Sequence, residues 1–152
     1  MNKFILVFSL LVFGCKTENK EIVNKVEKNQ SLGNFEVKYI EVEGNKIQLL
    51  VPPNQVYEDK LYDEYQAAKI IHMNLSPDIQ KKIAPSRLEK LINFQGNYID
   101  AQEQLNENYI GGDDANIEFL HEKSKSLGSN LSKEEIFTIL RYESYYMKLI
   151  NY

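Results

Sequence analysis

Apolar and polar residues alternate through "NFEVKYIEVEGNKIQLLVPP", residues 34–53, a stretch rich in β-branched and aromatic side chains that stops at Pro52-Pro53. Two such runs joined by a short Gly-containing loop predict a β-hairpin. With Gly44-Asn45 as the loop, Val42 faces Ile47 and Ile40 faces Leu49 on an apolar side. Glu43 then faces Lys46, and Glu41 faces Gln48, on a charged side. Phe35, Val37 and Tyr39 fall on the opposite phase, so either a bulge sits near Tyr39 or the outer half of the strand buries its other side. A lone hairpin is marginal in water, so it must pack on a larger body.

Beyond residue 56 the period lengthens to that of a helix. Residues 57–74 place Tyr57, Leu61, Tyr65, Ala68, Ile71 and His72 along one face. Ser76-Pro77 predicts a short helix with Ser as N-cap and Pro at the first helical position. Pro85 marks another start, and from there to about Asn108 a face is formed by Leu88, Leu91, Ile92, Tyr98, Ile99 and Leu105. Gly111-Gly112 breaks the chain. Asp113 or Asp114 caps the next helix, which carries Ile117, Leu120 and Leu127 and ends at Gly128. Ser132-Lys133-Glu134-Glu135 is a capping box that opens the last helix. The fold class expected is α+β, mainly α: an N-terminal β-hairpin packed on a bundle of four principal helices and one short helix.

The first 33 residues follow neither period. Met1-Asn2-Lys3 precedes ten residues from Phe4 to Phe13 that are apolar except for Ser9, and Gly14-Cys15 closes the run. A spanning helix needs roughly 20 apolar residues, whereas a short basic end and a run of this length have the proportions of a secretory signal. The segment resembles a bacterial lipoprotein signal with its lipobox, Val12, Gly14 and Cys15 standing at −3, −1 and +1. The resemblance implies a signal peptide over residues 1–14 and acylation of Cys15, which becomes the mature N-terminus. Lys16 stands where an Asp would favour retention in the inner membrane. The implied location is therefore the cell envelope, on the outer membrane at its periplasmic face or at the cell surface.

Residues 16–33, "KTENKEIVNKVEKNQSLG", carry too few apolar side chains to offset their ordering entropy. With Cys15 they read as a flexible tether, leaving residues 34–152 as a single domain. Loss of residues 1–14 takes away Lys3 and no acid, leaving a net charge of about −5. That balance gains nothing from phosphates and excludes nucleic acid as a partner. Cys15 is the only cysteine, so the mature domain has neither a disulfide nor a thiol nucleophile.

Few constellations carry chemistry. On the last helix Ile136, Ile139, Leu140, Tyr142, Tyr146, Met147, Leu149 and Ile150 form a broad apolar face with Glu143 near its middle. A carboxylate there must pair, take up a proton or reach water. His72 sits similarly on its own helix, and a His72–Glu143 contact would join the two. Glu118 and His121, three apart in "EFLHE", make half of the paired motif of di-iron bundles; the second half is missing, because Lys69 stands three before His72. "GGDDAN" lacks the alternating ligands and terminal Glu of a calcium loop. No metal site or cofactor is expected. The ten tyrosines suggest instead a binding surface drawn from Tyr57, Tyr62, Tyr65, Tyr142, Tyr145 and Tyr146, since Tyr joins a large apolar ring to a polar tip.

Two functions follow. One is a non-catalytic module, held to the membrane through its N-terminal lipid, that binds an envelope or secreted protein. The other is a small-ligand carrier or enzyme using Glu143 and His72.

Overall fold

The structure, a computed structural model, describes residues 35–57, 60–106, 109 and 111–151. The expected signal peptide, Cys15 and the tether lie outside the described residues. Within them are two strands, β1 (Glu36–Val42) and β2 (Asn45–Val51), followed by α1 (Glu64–Asn74), α2 (Pro77–Lys82), α3 (Pro85–Glu103), α4 (Asp114–Ser126) and α5 (Lys133–Leu149). The architecture is α+β and mainly helical, with four principal helices, one short one and the hairpin. α1 packs on α3, α5 and β2, while α4 lies against α3 and α5.

The hairpin turns one residue earlier than expected. Glu43 and Gly44 form the loop, at φ 52° and 76°, and Val42 pairs with Asn45. Tight two-residue hairpin loops need positive φ at both central positions, and Gly takes the second without a Cβ penalty. Ile40 therefore pairs with Ile47 rather than Leu49. The slip is two residues, so each side chain keeps its face, and Ile40, Leu49 and Val51 are buried. Pairing runs unbroken from Glu36–Val51 to Val42–Asn45, so there is no bulge at Tyr39. That side chain lies on the outer face, 56% exposed, with Lys46 Nζ 4.3 Å from its ring centroid.

The first helix is shorter than its periodicity implies. Asp63 accepts the Gln66 N–H at 2.8 Å and starts α1 at Glu64. Tyr57 and Leu61 thus precede the helix and do not share its phase. Leu61 is 89% exposed and Tyr65 63% exposed, while Ala67, Ala68, Ile70 and Ile71 enter the core. α3 likewise stops at Glu103, before Leu105, which is exposed.

The local signals elsewhere set the element starts. Pro77 and Pro85 occupy first-turn positions, although Ser76 makes no side-chain cap bond. Asp113 accepts the Asn116 N–H. The capping box closes with Ser132 N–H to Glu135 Oε2 at 2.8 Å and Glu135 N–H to Ser132 Oγ at 3.2 Å.

One side chain fixes the hairpin to the helices. Asn74, the last residue of α1, accepts the Leu50 N–H at 2.9 Å and donates to the Leu50 carbonyl at 2.8 Å. Its amide nitrogen also donates to the Ile70 carbonyl at 2.8 Å. The amide group takes the place of a third strand's peptide at the outer edge of β2. Since Leu50 turns both backbone groups away from β1, the residues of β1 that bond to β2 are Glu36, Lys38, Ile40 and Val42. Val37, Tyr39 and Glu41 point their backbone groups the other way.

Candidate functional site

Glu143 is 6% exposed among Ile136, Ile139 and Ile150. The Tyr62 hydroxyl, from the connector before α1, donates to its Oε1 at 2.6 Å. The Tyr62 ring meets Tyr146 edge-on at 5.7 Å. Burial pushes the Glu143 carboxyl up to about 7, against the pull of Tyr62 and of the Gln95 amide on α3, both of which favour the ionised form. Oε2 has no hydrogen-bond partner among the described residues. Burial also raises the Tyr62 hydroxyl, and the adjacent Glu143 raises it further. Tyr146, held in the core, is raised to about 12, chiefly by burial.

His72 is half-buried on α1. Its Nε2 has no hydrogen-bond partner among the described residues, while its carbonyl accepts from Gln80 Nε2 at 2.8 Å. No hydrogen bond joins it to Glu143. The six tyrosines differ in exposure. Tyr57 and Tyr146 are interior, Tyr65 is exposed, and Tyr62, Tyr142 and Tyr145 are half-buried. Tyr142 and Tyr145 pack edge-to-face on each other at 5.7 Å.

The residues of "EFLHE" act structurally. Glu118 pairs with Lys133 at the start of α5. The His121 Nδ1–H donates to the Leu131 carbonyl at 2.6 Å, a tautomer fixed by that acceptor. Ser124 Oγ accepts the Leu131 N–H at 3.3 Å, so both α4 residues hold the loop that leads into α5. Asp113 of "GGDDAN" caps α4 and accepts the Tyr109 hydroxyl at 3.0 Å.

A different region offers access. A cleft of about 780 Å³ runs beside the outer edge of β1, between that strand, the connector after β2 and the end of α5. Ile40, Tyr57 and Leu149 are its buried lining, and Tyr39, Val56 and Lys148 stand exposed around it. Neither Glu143 nor His72 lines it. No sequence signal marks the cleft, because it joins residues from 38 to 151 that only the fold brings together. A second feature without a sequence signal is an aromatic group on α3 and α4. Tyr98 stacks on Phe119 at 4.7 Å, and Lys123 Nζ lies 5.0 Å from the Phe94 ring and 5.2 Å from that of Phe119.

Among the described residues, no group of three His, Cys, Asp or Glu side chains is placed to hold a metal ion, and no helix is long and apolar enough to cross a membrane. Compared with protein-family models, curated proteins and solved structures, the chain matches none.

Proposed function

We propose that the chain is a lipid-anchored envelope protein whose folded part binds another protein and catalyses nothing. The cleft beside β1 carries this reading: Ile40, Tyr57 and Leu149 make an apolar floor beneath the exposed Tyr39, and tyrosine is favoured at protein interfaces. The two side chains with the most catalytic promise lie elsewhere, and Tyr62 already occupies one oxygen of Glu143. The anchoring half of the proposal rests on Phe4–Phe13, Gly14 and Cys15. A diacylated or triacylated cysteine suffices for stable anchoring, because more than one chain inserts. Acting as the flexible tether their composition suggests, residues 16–33 would span on the order of 25 Å.

Both halves are tested on native material. Intact mass is expected to show acyl chains on Cys15, and Cys15→Ser to release the protein to the aqueous phase of a detergent partition. A photocrosslinking residue at Val56 is expected to give one discrete adduct in intact cells, and the same residue at Asn93, outside the cleft, none. Unmodified mass with a freely soluble protein overturns the anchor. Equal or absent crosslinking at both positions overturns the binding reading.

A further inference from the structure

The two edges of the hairpin are finished differently. At β2 the outward N–H and C=O of Leu50 are both taken by Asn74, while those of Lys46 and Gln48 meet no partner among the described residues and border no cleft. At β1 the outward groups of Val37, Tyr39 and Glu41 meet no backbone or side-chain partner among the described residues. The cleft lies along that same edge, between it and the end of α5.

Edges are commonly guarded by proline, by short length or by an inward-pointing charge. β1 has seven residues and no proline. Its two inward charges, Glu36 and Lys38, pair with each other at 2.8 Å and lie toward its N-terminal end, away from Glu41.

The spacing of these groups names the chemistry of what fits. Unpaired N–H and C=O groups on every second residue bond to water in the free protein and match, as a row, an extended backbone in register. Residues of an added strand that lie opposite Lys38 and Ile40 would drop their side chains on the cleft side, over Tyr57 and Leu149. Residues opposite Tyr39 would lie on the outer face with Tyr39 and Lys46. Lys148 stands at the cleft wall, exposed and in no ion pair among the described residues, and so suits an acidic group on the incoming strand.

A second copy of β1 fits less well. Antiparallel pairing about Tyr39 would set Glu36 against Val42 and Lys38 against Ile40, charge opposite apolar side chain on every inner pair.

We infer that the outer edge of β1 is a docking site for an extended strand of a partner protein, one that alternates apolar residues into the cleft and carries an acid toward Lys148. The inference rests on the binding reading above and specifies the partner's chemistry. It turns a two-stranded ribbon into a three-stranded sheet, which is the more stable unit.

The test uses the acylated full chain in detergent micelles and a displayed library of random twelve-residue peptides as probe. Selected peptides are expected to be acidic with alternating apolar residues. Their binding is expected to slow exchange of the Val37, Tyr39 and Glu41 amide protons by about tenfold or more, leaving α4 unchanged. Tyr39→Pro removes an outward donor without touching the β1–β2 ladder and is expected to weaken binding by about tenfold or more. Val37→Pro is the second variant, with a thermal melt confirming that each is folded; if either unfolds, the exchange pattern of the unaltered protein decides.

Peptides that bind while those three amides keep their free rates overturn strand addition and leave the binding reading standing. A selection that returns no binder overturns both. A concentration-dependent dimer that protects the same amides assigns the edge to a second copy and overturns the foreign strand.

Discussion

The two edges of the hairpin are built from strands of equal length, seven residues each, yet only β2 has an outward residue, Leu50, whose backbone groups are both taken by a side chain. The seal on β2 costs the fold a buried Asn at a helix end, which is tolerable because all of its amide groups are used. The open edge of β1 has no such device, only a cleft. The same contrast separates Glu143 from that cleft. The carboxylate is anchored inside the molecule by Tyr62, whereas Lys148 at the cleft is left for solvent or a partner.

Substitutions sharpen this comparison. The largest effect is expected at the sealed edge. Leu50→Pro removes the N–H bound by Asn74, and Asn74→Ala leaves both backbone groups of Leu50 unpaired; each is expected to destabilise by about 3 kcal/mol or more. Chemical denaturation measures both. A cost below about 1 kcal/mol for both would mean that the seal contributes little.

Next comes Glu143. Its carboxyl titrates near 7 in the fold against an ordinary 4.5, so the folded protein holds this proton more tightly than the unfolded chain. The stability it contributes is full below about pH 4.5 and is lost as pH rises through 7. The difference corresponds to about 3 kcal/mol. Glu143→Gln keeps an acceptor for Tyr62 and removes the titration. Melts between pH 5 and 8 are expected to lose that slope, with the variant the more stable at pH 8. An unchanged slope would place the titrating group elsewhere.

Tyr62→Phe deletes the one hydrogen bond on Oε1 and leaves the buried carboxylate with the Gln95 amide alone to favour its charge, an expected cost of about 2 kcal/mol above pH 7. The cost is expected to shrink below pH 5, where the carboxyl is neutral. The smallest effect belongs to the open edge. Tyr39→Pro removes a donor that bonds to nothing among the described residues, and is expected to cost about 1 kcal/mol or less. A loss equal to that of Leu50→Pro would show that the edge is already paired.

Much of this fold is legible in the sequence where the chemistry is local. Pro77 and Pro85 start helices because a missing N–H costs nothing in a first turn, and Ser132 with Glu135 announces α5 through bonds made within four residues. The hairpin face is legible from its alternation, but its register is not, because the turn depends on which residues accept positive φ. Tyr57, Leu61 and Tyr65 mimic a helical face, and only the cap chosen by Asp63 breaks that pattern. Glu143 falls among Ile136, Ile139 and Ile150 on a simple wheel. Its partner Tyr62 lies 81 residues away, and Asn74 reaches a strand 24 residues back. Pairings of that range are set by packing, which the order of residues does not display. For the same reason the cleft, assembled from a strand, a connector and a helix end, leaves no trace in the chain.

Amide hydrogen exchange of the unliganded protein, read residue by residue by NMR, tests the central claim most directly. The Leu50 amide is expected to exchange slowly, as a bonded amide in a packed element does. The Val37, Tyr39 and Glu41 amides are expected to exchange at least about a hundredfold faster. Equal protection on both edges would contradict the account, because β1 would then have no open side to offer.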